Sequence, residues 1–198
     1  YSEKMDGGQD TWLSIPDFGK TGSGVTTMPT TSASVTPGSG NPHLAYNTYF
    51  FTTGTFKVKA YLAPTINYLA RPEGMRYAIS IDDQDPVVKS FNGDTDAGRA
   101  NNIIISSSNH EITEAGNHVV KYWMVDPGVV LQKIVIETGS SENSYLGAPE
   151  MPYALMKDLF IQAASIVSGD SSSVEVTFSE AIDTNSVNAD DFLFCFND

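Results

Sequence analysis

Short stretches in which apolar and polar residues alternate, each closed by glycine, proline, asparagine or aspartate, recur along this chain and leave little room for helices. Alternation with a period of two puts successive side chains on opposite faces of a strand, whereas a helix repeats every 3.6 residues or so, roughly once per turn. Leu44–Phe51 sets Leu44, Tyr46, Thr48 and Phe50 against Ala45, Asn47, Tyr49 and Phe51, and a Thr-Thr-Gly turn follows. Thr55–Leu62 has Phe56, Val58, Ala60 and Leu62 on one face, with Lys57, Lys59 and Tyr61 on the other. Arg76–Asp82 buries Tyr77, Ile79 and Ile81; Val87–Phe91, Ile103–Ser107, Asn117–Val125 and Val130–Glu137 complete the set. Strands at this spacing, with turn chemistry between them, predict an all-β fold, an antiparallel β-sandwich. Weak helical signals are confined to Arg99–Asn102 and Ala154–Gln162.

A length of 198 residues accommodates one sandwich-sized domain and a small appendage. Glycine, serine and proline cluster at Ser140–Pro152, so the expected division is a sandwich over 1–150, a linker over 151–163 and a short segment over 164–198. That last segment contains a strand at Ser173–Ser179, with Val174, Val176 and Phe178 on one side, followed by the polar turn from Asp183 to Phe192. It resembles the opening strands of a bacterial Ig-like repeat and stops before such a repeat would close.

Charge narrows the partners. Asp and Glu number 24 against 11 Lys and Arg, a formal net charge of -13. Such a field repels phosphate backbones and anionic lipid, which argues against nucleic-acid and inner-leaflet ligands. No apolar run reaches the roughly 18–20 residues of a membrane span, so no membrane insertion is expected. A single cysteine, Cys195, excludes an internal disulfide and a CxxC zinc site. The low charge and abundant hydroxyls suit a secreted, cell-surface or periplasmic protein. Tyr1 opens the chain with no charged-then-apolar leader after it, which reads as a piece of something longer.

Motifs of catalysis are missing: no nucleophile elbow, HExxH or GxGxxG opens a helix after a strand. Gly19–Gly24 has the look of a phosphate loop but lacks its first glycine and a following helix; a tight bend in a sheet is the expected use. His43, His110 and His118 share no metal-ligand spacing. Two acidic clusters, Asp82-Asp83-x-Asp85 and Asp94-x-Asp96-x-Gly98, have the oxygen-rich spacing of a calcium loop, with solvated turn acids as the plainer reading. Nothing singles out the carboxylate pair, about 5–10 Å apart, that glycoside hydrolysis uses. Aromatic platforms are the alternative tool, because a sugar ring's CH face stacks on Trp or Tyr while its hydroxyls hydrogen-bond nearby. Trp12, Tyr49, Tyr61, Tyr68 and Trp123 are the candidates, each open to a packing role instead; Trp12 and Tyr68 are favoured because their surroundings read as loops.

Five stretches, in order, add a family resemblance: Trp12-x-x-Ile15-Pro16-Asp17-x-Gly19-Lys20-Thr21-Gly22-Ser23-Gly24-Val25-Thr26, Ala60–Thr65, Gly74-x-Arg76–Asp83, Lys121–Lys133 and Ser144–Pro149. Together they closely resemble the C-terminal domain of glycoside hydrolase family 115, the xylan α-glucuronidases, over about residues 1–150, with Met124–Gln132 the most specific run. The resemblance implies a jelly-roll sandwich similar to carbohydrate-binding modules, with the catalytic machinery in upstream domains. It implies a non-catalytic module that binds xylan or glucuronoxylan of plant cell walls through aromatic platforms. The alternative is a structural or dimerisation domain of an α-glucuronidase without sugar affinity of its own; a hydrolase ranks third.

On that reading Asn67, Asp126 and Gln132 contact sugar hydroxyls and Lys20 or Arg71 pairs with a uronic acid branch. Asp126 and Gln132 serve equally well as locks on the turn at Pro127-Gly128. No cofactor is implied beyond structural calcium at Asp82, Asp83, Asp94 and Asp96. The family's opening strand, with its acidic residues, has no counterpart before Tyr1, and the family's tryptophan is missing near Gly93–Asn101. An unfilled sheet edge exposes unpaired backbone groups, so Ser173–Ser179 is expected to pair there, in the same chain or a neighbour's, which would make a homodimer.

Overall fold

The computed structural model describes residues 1–38, 40–91, 103–139, 148, 161–166 and 174–178, and the chain divides into two compact units, Tyr1–Glu150 and Met151–Asp198. In the first unit the strands are β1 (Glu3–Met5), β2 (Thr11–Ile15), β3 (Gly24–Met28), β4 (His43–Phe50), β5 (Gly54–Leu62), β6 (Met75–Ile81), β7 (Val87–Phe91), β8 (Ile104–Ile112), β9 (Gly116–Met124) and β10 (Leu131–Glu137). They form two antiparallel sheets, ordered β1-β4-β9-β6-β7 and β2-β3-β10-β5-β8. The fold is an all-β antiparallel sandwich, as the alternation predicted.

One apolar core is shared by the two sheets. Leu44, Tyr77, Ile79, Tyr122 and Met124 come from the first, and Trp12, Val25, Val58, Leu62 and Leu131 from the second. The alternation in β5 and β6 places Val58, Ala60, Leu62, Tyr77, Ile79 and Ile81 at 0% exposure. Across the interface Phe50 meets Phe56 edge-on at 4.8 Å, and Tyr77 stacks on Tyr122 within the first sheet at 5.4 Å.

Four strands go beyond the sequence reading. β2 and β3 form a hairpin in register from Thr11↔Met28 to Ile15↔Gly24, where the surroundings of Trp12 were expected to be loop and Gly19–Gly24 a tight bend in a sheet. Gly22, at φ 87°, supplies the left-handed turn residue that a glycine tolerates most readily. β1 lies on β4, with Glu3 opposite Ala45 and Met5 opposite His43. β8 runs on to Ile112 rather than stopping at Ser107.

The second unit has β11 (Ile161–Ile166) and β12 (Val174–Phe178), paired antiparallel in a sheet of their own. Two expectations change accordingly. Val174–Phe178 pairs with Ile161–Ile166 in a two-stranded sheet, where a sandwich edge was the expected partner. Residues 161–163, assigned to the linker, are strand, which also ends the helical reading of Ile161 and Gln162; Arg99–Asn102 and residues 154–160 lie outside the described residues.

Candidate functional site

Three connections gather at one end of the sandwich: residues 29–42 after β3, residues 63–74 between β5 and β6, and residues 125–130 between β9 and β10. Strand registry puts their roots side by side, with His43 opposite Trp123, Tyr77 opposite Met124, and Leu131 opposite both Leu62 and Val25. Main-chain bonds stitch them together: Ala63 N donates to Val130 O at 3.0 Å and Val35 N to Val125 O at 2.9 Å.

Asp126 organises this end. Its side chain is wholly inaccessible, and four donors converge on it. Arg76 supplies its backbone N–H (2.8 Å), Nε (3.1 Å) and Nη2 (3.0 Å), while Arg71 Nη1 lies 3.1 and 3.4 Å from the two carboxylate oxygens. A carboxylate tolerates burial when charge-assisted bonds replace its water, and planar guanidinium forks do so with fixed geometry. Arg71 Nη2 also donates to Ser34 Oγ at 2.9 Å. Asn67 then braces Arg71's backbone: Nδ2 donates to Arg71 O at 2.6 Å and Oδ1 accepts from Arg71 N at 3.3 Å.

Tyr68 stands on this base. The residue is 46% exposed, and its hydroxyl lies 2.7 Å from Pro127 O and 3.1 Å from Thr30 O, so the phenol is pinned at its tip. Partial burial and the nearby Asp126 charge raise its pKa above 10.0, which keeps the hydroxyl protonated as a donor. Gly128, at φ 76°, passes beneath the ring: a Cβ there would sit 3.2 Å from Thr30 Cγ2 and 3.8 Å from Tyr68 Cε1. Beside it lies an open cleft of about 470 Å³, lined by Thr30, Thr31, Thr65, Ile66, Tyr68 and Gly128. Ile66 is 80% exposed. A pinned aromatic ring, an exposed aliphatic side chain and three threonines share this cleft, groups of the kind that can stack on apolar CH faces and hydrogen-bond to hydroxyls.

The structure thus brings Asn67, Tyr68, Arg71 and Asp126 together and places the other candidates elsewhere. Trp12 is a correction: it lies in β2, 7% exposed, packed in the core against Tyr122, with Nε1 donating to Met5 O at 3.1 Å. Tyr61 and Trp123 are buried as well, at 6% and 5%. Trp123 packs with Ala78 and Val125 on the face of the first sheet turned from the core, and its Nε1 donates to Ser80 Oγ at 2.9 Å. Tyr49 is half-buried in β4, in ring contact with Phe51 at 5.0 Å. Lys20 sits in the β2–β3 turn, at the opposite end of that hairpin from Thr30. Gln132 falls at the register shift between Leu131 and Lys133 in β10.

Of the four calcium candidates, the described residues include Asp82 and Asp83. Asp82 Oδ2 meets His118 Nδ1 at 2.6 Å, Asp82 Oδ1 accepts from Val119 N at 2.8 Å, and Asp83 stands out in solvent, 3.7 Å from Lys121 Nζ. Both carboxylate oxygens of Asp82 thus have protein partners, and among the described residues no group of three acids, histidines or cysteines converges for a metal. Asp94 and Asp96 lie outside the described residues.

Arg76, Ile66, Thr30 and Thr65 are the site residues that sequence reasoning missed. Alternation within Arg76–Asp82 does turn Arg76 away from the core-facing Tyr77, which marks it as a cation at a strand start next to a loop.

Comparison with known proteins matches residues 1–150 to the model of the glycosyl hydrolase family 115 C-terminal domain. No curated protein sequence matches significantly. Among solved structures, a family GH115 4-O-methyl-α-glucuronidase with specificity for decorated arabinogalactans aligns over 70% of this chain at 15% identity, with a TM-score of 0.49. This chain spans 18% of that protein's length. A family 35 carbohydrate-binding module from Clostridium thermocellum aligns over 67% of this chain and 90% of its own, at 17% identity and a TM-score of 0.47. A carbohydrate-binding module of Cellvibrio mixtus lichenase 5A, in complex with cellotriose, aligns over 71% and 92%, at 11% identity and 0.44.

Proposed function

The chain belongs to the family of glycosyl hydrolase family 115 C-terminal domains, and from that membership we propose that it is a non-catalytic carbohydrate-binding module of a polysaccharide-degrading enzyme that works outside the cell or at its surface. The polysaccharide is of the plant cell-wall xylan type, plain or bearing glucuronic acid.

The observation that supports this reading is the pinned Tyr68 ring. An aromatic platform gains affinity when it is rigid, because less side-chain entropy is lost on binding. The hydroxyl's contacts with Pro127 O and Thr30 O hold it without occluding the ring. Ile66 extends the apolar surface, and Thr30, Thr31 and Thr65 supply hydroxyls at its margin. Asp126 serves as a lock in this arrangement, since its carboxylate is buried and bonded by the guanidiniums of Arg71 and Arg76.

A second reading is a buttress for the parent enzyme, with no sugar affinity. It draws support from the same end of the molecule, where Asn67, Arg71 and Asp126 are engaged with one another and make a rigid corner. Affinity electrophoresis in gels containing glucuronoxylan, arabinoxylan or cellulose separates the two. Retardation by xylan that is lost in Tyr68→Ala supports the module; unretarded migration in every gel leaves the buttress.

A further inference from the structure

β8 is an edge strand with a polar inner face. It ends the second sheet, paired with β5 from Gly54↔Ile112 to Leu62↔Ile104, and among the described residues no strand lies along its other side. Its core-side positions run Ile104, Ser106, Ser108, His110 and Ile112, opposite Leu62, Ala60, Val58, Phe56 and Gly54 of β5. Ser106, Ser108 and His110 thus stand across from apolar residues, and Ser108 and His110 are 5% and 3% exposed. A buried hydroxyl or imidazole contributes little of the transfer free energy that holds an apolar strand against a core. Edge strands with few buried apolar contacts belong to the low end of the local stability range.

His110 makes this strand sensitive to protons. Its Nε2 lies 2.7 Å from Ser108 Oγ, and among the described residues Nδ1 has no partner. That one hydroxyl serves the neutral ring, whereas an imidazolium carries two N–H donors and a charge. On β5 its neighbour is Phe56, with Lys57 turned to the other face. Register sets Tyr77 of β6 and Lys89 of β7 opposite one another on the core side of the first sheet. β9 brings His118, beyond Phe56 and Phe50, and Asp82 is that ring's partner at 2.6 Å. Glu111, on the far face of β8, and Glu114 are exposed. The carboxylates of these elements are in solvent or taken by His118, so a proton on His110 meets no anion, and burial lowers its pKa below 6.5.

We propose that β8 is an acid-released edge strand: in mild acid it leaves β5, His110 takes a proton from solvent, and β5 becomes the open edge of the second sheet while the other strands stay paired. The released state offers a row of unpaired backbone groups on β5, the kind of edge to which another strand adds. The trigger is confined to one ring. His118 has an acceptor at each ring nitrogen, Asp82 Oδ2 and Glu114 O, so a proton there breaks no contact.

Hydrogen exchange of the full chain at about pH 7.5 and 5.0, corrected for intrinsic rates, tests it. Amides of β8 are expected to exchange faster than those of β9 at both values. Their exchange should also depend less on sub-denaturing urea, because local opening exposes less surface than unfolding. A ring that takes its proton only in the open state, at the ordinary 6.5, enlarges the open population by up to about 30-fold between the two conditions. His110→Gln should remove that response, and His118→Gln should leave it. Circular dichroism verifies that both variants fold; should His110→Gln fail to fold, the comparison of β8 with β9 in the unaltered chain decides alone. Equal protection and equal urea dependence in β8 and β9 overturn the proposal. So does a β8 opening that pH leaves unmoved, or a response that survives His110→Gln or is lost in His118→Gln.

Discussion

Arg76 and Asp126, fifty residues apart, hold each other through side chain and main chain alike. Arg76 donates to the Asp126 carboxylate from its backbone N–H, Nε and Nη2, and Asp126 N returns a bond to Arg76 O at 3.1 Å. The start of β6 is thereby locked to the end of β9, and the loop-end site is built on that lock.

Asp126→Ala leaves two guanidiniums facing a void where their partner stood. Breaking a buried pair by removing one member typically costs about 3–5 kcal/mol. Denaturant unfolding should show a loss of that order, and Asp126→Asn, which keeps shape and two acceptor lone pairs, a smaller one.

Gly128→Ala tests the floor of the cleft. The residue's φ of 76° disfavours a side chain, and the added methyl would press on Thr30. A left-handed non-glycine residue costs about 1–2 kcal/mol. Thermal unfolding should register that loss, and sugar affinity should fall further than stability alone explains, because Thr30 and Tyr68 are displaced together.

Tyr68→Phe keeps the ring and removes the hydroxyl that reaches Pro127 O and Thr30 O. The expected cost in stability is about 0.5–1.5 kcal/mol, the net worth of a hydrogen bond. Retardation in xylan gels should weaken yet persist, in contrast to its loss in Tyr68→Ala.

Acid should destabilise the sandwich through His110. This residue faces the core from β8, 3% exposed, with Nε2 2.7 Å from Ser108 Oγ, and burial lowers its pKa below 6.5. The neutral ring is the form favoured in the folded state. Its contribution to stability is therefore complete above the unfolded value of 6.5 and is lost as pH falls through and below it. Urea midpoints should drop between about pH 7.5 and 5.0, a titration in the ordinary range for an unfolded histidine, and His110→Gln should blunt the drop.

Alkali acts through the core tyrosines in the opposite sense. Burial pushes the Tyr77 hydroxyl up to about 12, with Ser106 pulling weakly the other way, and raises Tyr122 and Tyr46 as well. These groups are neutral in the fold, so their stabilisation is intact below 10.0 and fades as pH climbs above it. Spectrophotometric titration should show a tyrosine class that ionises only above that value, together with unfolding.

Strands were legible where the core face is apolar and the outer face polar. β4, β5 and β6 satisfy that condition, and their alternation led directly to Leu44, Val58, Tyr77 and Ile79 in the core. β3 inverts it: Thr26 and Thr27 are buried and Met28 is 38% exposed, while neighbouring β2 leaves Leu13 48% exposed. The hairpin therefore read as loop, and Trp12 as a surface platform. β8 fails in the same way past Ser107, because its inward positions include Ser108 and His110, which satisfy each other by a hydrogen bond that no periodicity reveals.

At the candidate site, residue type alone left Asp126 divided between ligand contact and structural lock. The partners that decide it lie 50 and 55 residues away, beyond any local pattern. Tyr68 was separable from Trp12 only by exposure, which depends on what the fold packs against each.

What the sequence by itself determined was the all-β architecture and the family, because period-two alternation and contiguous motifs such as Met124–Gln132 are local properties of the chain. Which aromatics are exposed and which carboxylate is a buried lock were decided only by the tertiary structure. Burial and charge pairing are relations between segments distant in sequence, and they have no value until the sheets bring those segments together.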